Sequence, residues 1–322
     1  MGGGDAADFE EKRRRDEASQ GAFQQNMQSQ ALKDSWHAFK DTFSALSSHW
    51  LLALIALIVA GICNSSIAPF QKLILPIRDP ALSYPVGVEQ VPEILVLLLS
   101  AFVPMTVIVL FSHFNDKTDT GVSLLALVQS CSYNMVATVL LKKIAGRPRP
   151  CFYAMCEWEW KTPPGTGDSG TGTGSCTGTR KRVWEARQSF PSGHSSLAFS
   201  GLFFLSLFLL EKLSQHVRRA QPFPSFLRSL QYKALQIACL LPAALACWIA
   251  ETRIQDYWHN YDDILAGAVL GTAFAIWFFQ QREGYQSLVR ESLRVPPNAR
   301  HSDEMVPMRD SDPAPGTGDE AA

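Results

Sequence analysis

Three short polar segments of this chain hold residues that could handle a phosphoryl group. They are Lys142 with Arg149-Pro150, then Pro191-Ser192-Gly193-His194, then Arg253 with His259 and Asp263. Fixed cations would neutralise phosphate oxygens, one histidine would give a proton, and the other would be a nucleophile oriented by a carboxylate. His259 and Asp263 are four residues apart at the start of an apolar helical run, which places them one turn apart on one helix face. A carboxylate on one ring nitrogen fixes the tautomer and leaves the other nitrogen free to attack phosphorus. Standing alone, the same pair is also an ordinary helix entry, with Asp263 at the positive end of the helix dipole. Arg253 can grip two phosphate oxygens with its planar fork, although an arginine at a span end also commonly snorkels to the interface. Lys142 and Arg149 flank a turn containing Gly146, Pro148 and Pro150 that could aim both cations at one anion. A cytosolic stop signal of Lys and Arg is the competing account. Pro191 and Gly193 enforce a turn before an apolar run, exposing amide N–H groups where anions bind. Ser192 can add a hydroxyl there, and His194 is placed to protonate a leaving oxygen.

These segments need a scaffold, and the apolar runs supply it. The average composition hides them: 47% of residues are hydrophobic, the formal net charge is −1, and the polar ends dilute the rest. Six runs stand out, at Trp50–Cys63, Ile94–Phe111, Val122–Leu141, Ser195–Leu210, Ala234–Ala250 and Ile264–Phe279. A helix needs about 20 residues to cross the hydrocarbon core, and flanking residues bring most of the runs to that length, the last two being short. The pattern predicts an all-α membrane bundle of six transmembrane helices, because in lipid the backbone must satisfy its own hydrogen bonds. Cations before the first run (Lys12 to Arg15, Lys33, Lys40), after the fourth (Lys212, Arg218, Arg219) and after the sixth (Arg282, Arg290, Arg294) place both termini in the cytosol. The loop after the third run is also basic and objects to this orientation; two of its cations, Lys142 and Arg149, belong to the phosphate-binding set. An even number of crossings separates the three motifs, so all of them lie on one membrane face, luminal or extracellular in this orientation.

Residues before Phe23 and the tail after Arg290 read as disordered. Leu32, Trp36, Phe39, Phe43 and Leu46 recur at helical spacing and suit an interfacial helix ahead of the first span, or a plain packed helix. From Pro163 to Gly178 the chain is a low-complexity run of Gly, Thr and Ser. Gly165, Gly167 and Gly170 have the spacing of a dinucleotide fingerprint there, but without a preceding strand the spacing is that of a Gly-rich linker. Of seven cysteines, Cys63, Cys131, Cys239 and Cys247 read as small apolar fillers of the spans. Cys151, Cys156 and Cys176 share the loop after the third span, where one disulfide with one thiol left over is open to them.

The combined pattern of Lys142, six residues, Arg149-Pro150, then Pro191-Ser192-Gly193-His194, then Arg253, five residues, His259, three residues, Asp263 resembles the type 2 phosphatidate phosphatase family, the lipid phosphate phosphatases. The likeness runs from about Trp50 to Phe279, with Thr252 where the family's third motif usually has Ser and Cys151 where a polar residue is usual. It implies an integral-membrane hydrolase with no cofactor and no metal, working through a phosphohistidine on His259. Asp263 orients that ring, His194 protonates the departing alcohol and then activates water, and Lys142, Arg149, Ser192, Gly193 and Arg253 hold the oxygens. It also implies a domain layout: residues 1–49 a cytosolic tail with the candidate amphipathic helix, 50–281 the six-span phosphatase domain, and 282–322 a disordered cytosolic tail. The partners expected are membrane lipid substrates and no nucleic acid. Phosphatidate, lysophosphatidate and diacylglycerol pyrophosphate lead, with sphingoid-base phosphate, isoprenoid diphosphate and sugar phosphate also open. A lipid phosphotransferase or headgroup transferase is the alternative among enzymes. Outside enzymes the alternatives are a transporter, whose charges would lie at mid-span rather than at span ends, or a non-catalytic scaffold.

Overall fold

A computed structural model describes residues 40–71, 79–112, 117–162, 173–219 and 226–294, together with scattered positions between 26 and 37. Six helices are long and apolar enough to cross a membrane: α1 (Ser47–Ser66), α2 (Glu93–Phe111), α3 (Asp119–Ala145), α4 (Gly193–Arg218), α5 (Ser229–Gln255) and α6 (Tyr261–Ser292). The chain is therefore all-α in its framework, with one small hairpin outside the bundle.

Helix α1 shows how such a sequence settles. Leu51, Leu54, Ile55, Ile58 and Ile62 face outward, where a soluble protein would not leave them. The small residues Ala53, Ala56 and Ala60 turn inward against α3, because close approach rather than hydrophobic burial drives helices together in lipid. Helix α3 is the central post, packed by α1 and α6 along its length and by the start of α4. Its core contacts gather around Ile108, Leu127, Phe204, Phe208 and Phe278.

Helix α6 meets the start of α4 through Gly267 and Gly271. A Cβ on either would come within 2.6 Å of the Ser192 carbonyl oxygen or 2.2 Å of that of Ser196. This GxxxG contact sets the distance between the two histidine-bearing segments, since His194 opens α4 and His259 immediately precedes α6. Both α2 and α4 contain a π-helical stretch, at Leu98–Phe102 and Phe199–Phe203, and the two stretches pack on each other below the motif residues.

Between α3 and α4 the chain builds a cap: a short helix Phe152–Met155, strand β1 (Trp158–Thr162), strand β2 (Thr173–Cys176) and a short helix Arg180–Glu185. The strands pair antiparallel, and a Cys156–Cys176 disulfide closes the hairpin. Cys151 is the thiol left over, buried beside Phe152, Met155 and Ala186. The low-complexity run is thus not wholly linker: its part from Thr173 onward is a strand, because it finds an aromatic partner strand carrying Trp158 and Trp160. Gly165, Gly167 and Gly170 lie outside the described residues, as do Leu32, Trp36 and Phe39 of the amphipathic helix and the first 25 residues.

At the other end of the bundle α6 corrects the expected boundary at residue 281. The helix continues to Arg294, and Arg282, Tyr285 and Val289 are buried in it. Arg282 explains the extension: it bonds Asp119 at 2.8 Å and pairs with Glu211, while Lys212 pairs with the other oxygen of Asp119. Tyr285 donates to Gln129 at 2.8 Å, so polar contacts carry the helix past its apolar stretch. Residues 295–322 lie outside the description.

Candidate active site

The three motif segments converge at one end of the bundle. Lys142, Arg149, Gly193, His194, Arg253 and His259 all line one cavity of about 330 Å³, with Glu89, Glu93, Glu185 and Trp258 on its polar side and Val96, Leu97, Met135, Val139 and Leu197 on its apolar side. Each residue arrives by a separate local device. Lys142 sits in the last turn of α3, and Gly146 then takes φ of +53° against the Phe70 carbonyl, a conformation that turns the chain back toward the bundle. His194 occupies the first turn of α4. Arg253 is in the last turns of α5, and the tight connection Asp256–Asn260 folds His259 back so that its N–H donates to the Arg253 carbonyl at 3.2 Å.

The two arginines are held in the same way. Arg149 pairs through Nη2 with Glu185 and lies over the Trp258 ring at 4.7 Å, while its Nη1 donates to the Trp258 carbonyl at 3.3 Å and lies 3.4 Å from His259 Nε2. Arg253 pairs through Nη2 with Asp256 at 2.7 Å and leaves Nη1 at 3.5 Å from His194 Nε2. Thr252, in place of serine, keeps the useful hydroxyl: its Oγ1 accepts from Arg253 Nε at 3.2 Å. Lys142 Nζ donates to the Gln188 carbonyl and, among the described residues, has no carboxylate at ion-pair distance. Each cation is therefore anchored on one side and open to the cavity on the other, the arrangement an incoming oxyanion needs.

The histidines are distinguished by their partners. An arginine can only donate, so Arg149 Nη1 beside Nε2, with the Asp263 carboxylate on the Nδ1 side, favours the His259 tautomer with its lone pair on Nε2 and its proton on Nδ1. Nδ1 lies 3.7 Å from Asp263 Oδ2, close enough for electrostatic pairing and longer than a hydrogen bond. It is buried with no hydrogen-bond partner. Burial disfavours the imidazolium of His259; Asp263 opposes this while Arg149 and Lys142 reinforce it, and the ring's pKa falls well below the ordinary histidine value. Asp263 is fully buried and held by three donors: Ser189 Oγ at 2.6 Å, the Asn260 N–H at 2.8 Å and Arg147 Nη1 at 2.8 Å. His194 Nε2 lies 2.9 Å from the Val91 carbonyl, which accepts its proton and fixes that ring's tautomer.

Ser192 departs from the sequence expectation. It is fully buried and does not line the cavity; its Oγ caps α4 by accepting from the Ser195 N–H at 3.4 Å, and its N–H donates to the Asp263 carbonyl at 3.0 Å. The Pro-Ser-Gly turn needs its serine for the helix start, which leaves Gly193 and His194 lining the cavity. The sequence reading missed Arg147, Ser189, Glu185, Asp256 and the Val91 carbonyl. Arg147 alone carried a local signal, as the first arginine of the Gly-Arg-Pro-Arg-Pro turn.

Residues 122–286 match the family described as the PAP2 superfamily. The chain is 32% identical to lipid phosphate phosphatase 2 of Arabidopsis thaliana over 243 residues, 74% of this chain and 78% of that protein. It is 32% identical to probable diacylglycerol pyrophosphate phosphatase 1 of Schizosaccharomyces pombe over 220 residues, 66% and 75% of the two chains. Phospholipid phosphatase 1 of Rattus norvegicus is 27% identical over 247 residues, 70% and 82%. No solved structure matches the chain.

Proposed function

This chain belongs to the PAP2 superfamily, and from that premise we propose that it is an integral-membrane phosphatidate phosphatase that acts through a phosphohistidine and needs no metal. The observation that carries the reading is the neutral, lone-pair Nε2 of His259 facing a cavity shared with Lys142, Arg149 and Arg253. The phosphate oxygens of a lipid phosphomonoester sit among these three cations and the Gly193 amide, while its chain runs along Val96, Leu97, Val139 and Leu197. His259 Nε2 attacks phosphorus in line; the N–P bond forms as the P–O ester bond breaks, and His194, entering the step as the imidazolium, gives a proton to the departing alcohol oxygen and is left neutral. The imidazolium character that develops on His259 is balanced by Asp263. Water then attacks phosphorus with its proton passing to His194, the N–P bond breaks, and inorganic phosphate leaves with His259 neutral again. The basic segments flanking the spans support cytosolic termini and a luminal or extracellular site. Diacylglycerol pyrophosphate fits the same cations, with phosphatidate as the leaving group.

The experiment is phosphate release from phosphatidate in detergent micelles with excess EDTA, wild type against His259→Ala. Chelator-resistant release that disappears in the variant is the expected result. Strict magnesium dependence of the purified protein overturns the mechanism.

A further inference from the structure

Residues 83–91, ahead of α2, place Glu89 in the lining of the cavity and are tied to the residues around it on both sides of Glu89. Tyr84 N–H donates to the Pro150 carbonyl at 3.2 Å, and its ring stacks on Tyr257 at 4.7 Å. Trp258 Nε1 donates to the Gly87 carbonyl at 3.2 Å. Gln90 donates to both oxygens of Asp256, at 3.0 Å from its N–H and 2.9 Å from Nε2. Val91 holds His194. Between these anchors, side chains alternate: Val88 is 91% exposed, and Glu89 turns into the cavity with 23% of its side chain accessible.

Glu89 has no part in the mechanism above, and a carboxylate in a phosphate cavity repels the ligand it faces. Its nearest cation is Arg253 Nη1 at 3.9 Å, and that guanidinium already has Asp256 at 2.7 Å. Burial pushes the Glu89 pKa up; Arg253 opposes this, and the neighbouring Glu93 adds to it, leaving the group raised. It is thus an undercompensated carboxylate that shares one cavity with the cations of Lys142, Arg149 and Arg253 and the apolar side chains of Val96 and Leu97. A lipid phosphate seated on those cations brings the atoms that join its phosphoester to its chain into the same cavity. An ammonium or hydroxyl group there relieves the carboxylate, while a second phosphate is repelled by it.

We propose that Glu89 is a specificity-determining residue that favours lipid phosphates carrying an ammonium or hydroxyl group beside the phosphoester, amino-alcohol phosphates above all. The inference rests on the phosphatase reading of the same cavity. It is tested on the full chain in mixed micelles, comparing kcat/KM for phosphatidate, lysophosphatidate, a sphingoid-base phosphate and diacylglycerol pyrophosphate in wild type, Glu89→Gln and Glu89→Asp. In Glu89→Gln the sphingoid-base phosphate falls about tenfold relative to phosphatidate, the scale of one charge-assisted hydrogen bond. Lysophosphatidate falls less, and diacylglycerol pyrophosphate rises relative to phosphatidate. Glu89→Asp, which keeps the charge, retains the wild-type order. An equal change on all four substrates overturns the proposal and makes Glu89 a structural partner of Arg253. If wild type releases phosphate from none of the four, the phosphatase reading fails first and takes the inference with it.

Discussion

The two ends of the helix bundle each bury an ionic network around a cavity, and the networks satisfy their cations differently. At the end away from the motifs, a cavity of about 440 Å³ is lined by Asp119, Glu211, Lys212 and Arg282. There Asp119 takes Lys212 on one oxygen and Arg282 on the other, and Arg282 reaches Glu211 with its second arm, so each buried cation meets a carboxylate. At the motif end the cavity is smaller, yet Lys142 rests on a backbone carbonyl and both arginines keep Nη1 beside a histidine. Size therefore does not single out the cavity that holds the motif residues. The closed network ties α3, α4 and α6 together, whereas the open one has donors ready for an oxyanion.

Breaking the open network should remove activity and spare the fold. Lys142→Ala, which breaks no ion pair among the described residues, is expected to lower kcat/KM by about 10²–10³, the loss that follows removal of one oxyanion donor. The unfolding midpoint should stay near that of wild type, read by thermal unfolding in the same detergent. An activity loss matched by unfolding would erase the distinction. Breaking the closed network should do the reverse. Arg282→Ala leaves Asp119 and Glu211 without this partner, a loss of about 3–5 kcal/mol for a buried pair. It should lower the unfolding midpoint while the folded fraction keeps its kcat.

Smaller changes sharpen the comparison within the site. Arg147→Ala removes one of three donors to Asp263, and kcat should fall about tenfold, near the ~1.5 kcal/mol of one charged hydrogen bond, with KM little changed. Arg147→Lys should recover part of it; a change confined to KM would place Arg147 on the substrate instead. Glu185 gives the mildest effect. Burial opposes its ionisation, but Arg149 and Lys142 hold its pKa below the ordinary glutamate value of 4.5. A folded pKa below the unfolded one means stability that is present above about pH 4.5 and is lost as pH falls through the folded value. With the Glu185 side chain 42% exposed, solvent screens the pair, and Glu185→Gln should flatten the acid side of the stability curve only slightly.

What was legible in the sequence follows from how local each signal is. The spacing of His259 and Asp263 put them on one helix face, whereas His259 lies in the connection just before α6 and comes within 3.7 Å of Asp263 from there. Lys142, Arg149, His194 and Arg253 each sit at the lip of an apolar run, so parity alone put them on one side. The six spans were equally plain. The tie from His194 to Val91, and from Asp256 to Gln90, joins residues far apart in the chain, and nothing local in residues 83–91 marks them as a strap. Arg282 looked like a charge ending the last span, because its partners Asp119 and Glu211 lie on other helices. Ser192 reads two ways because a serine before a helix serves as a cap or a ligand with the same local sequence, and the structure shows it capping α4. The disulfide was left among three cysteines until the β1–β2 pairing brought Cys156 and Cys176 together.

The central claim is that His259 carries the phosphoryl group during turnover. Rapid acid-free quenching of the protein mixed with phosphatidate labelled in its phosphate, followed by peptide mapping, tests it directly. The account predicts an alkali-stable, acid-labile label on the peptide containing His259, forming and decaying at rates that match turnover, and absent in His259→Ala. Undiminished phosphate release by His259→Ala, or label on another residue, would contradict it.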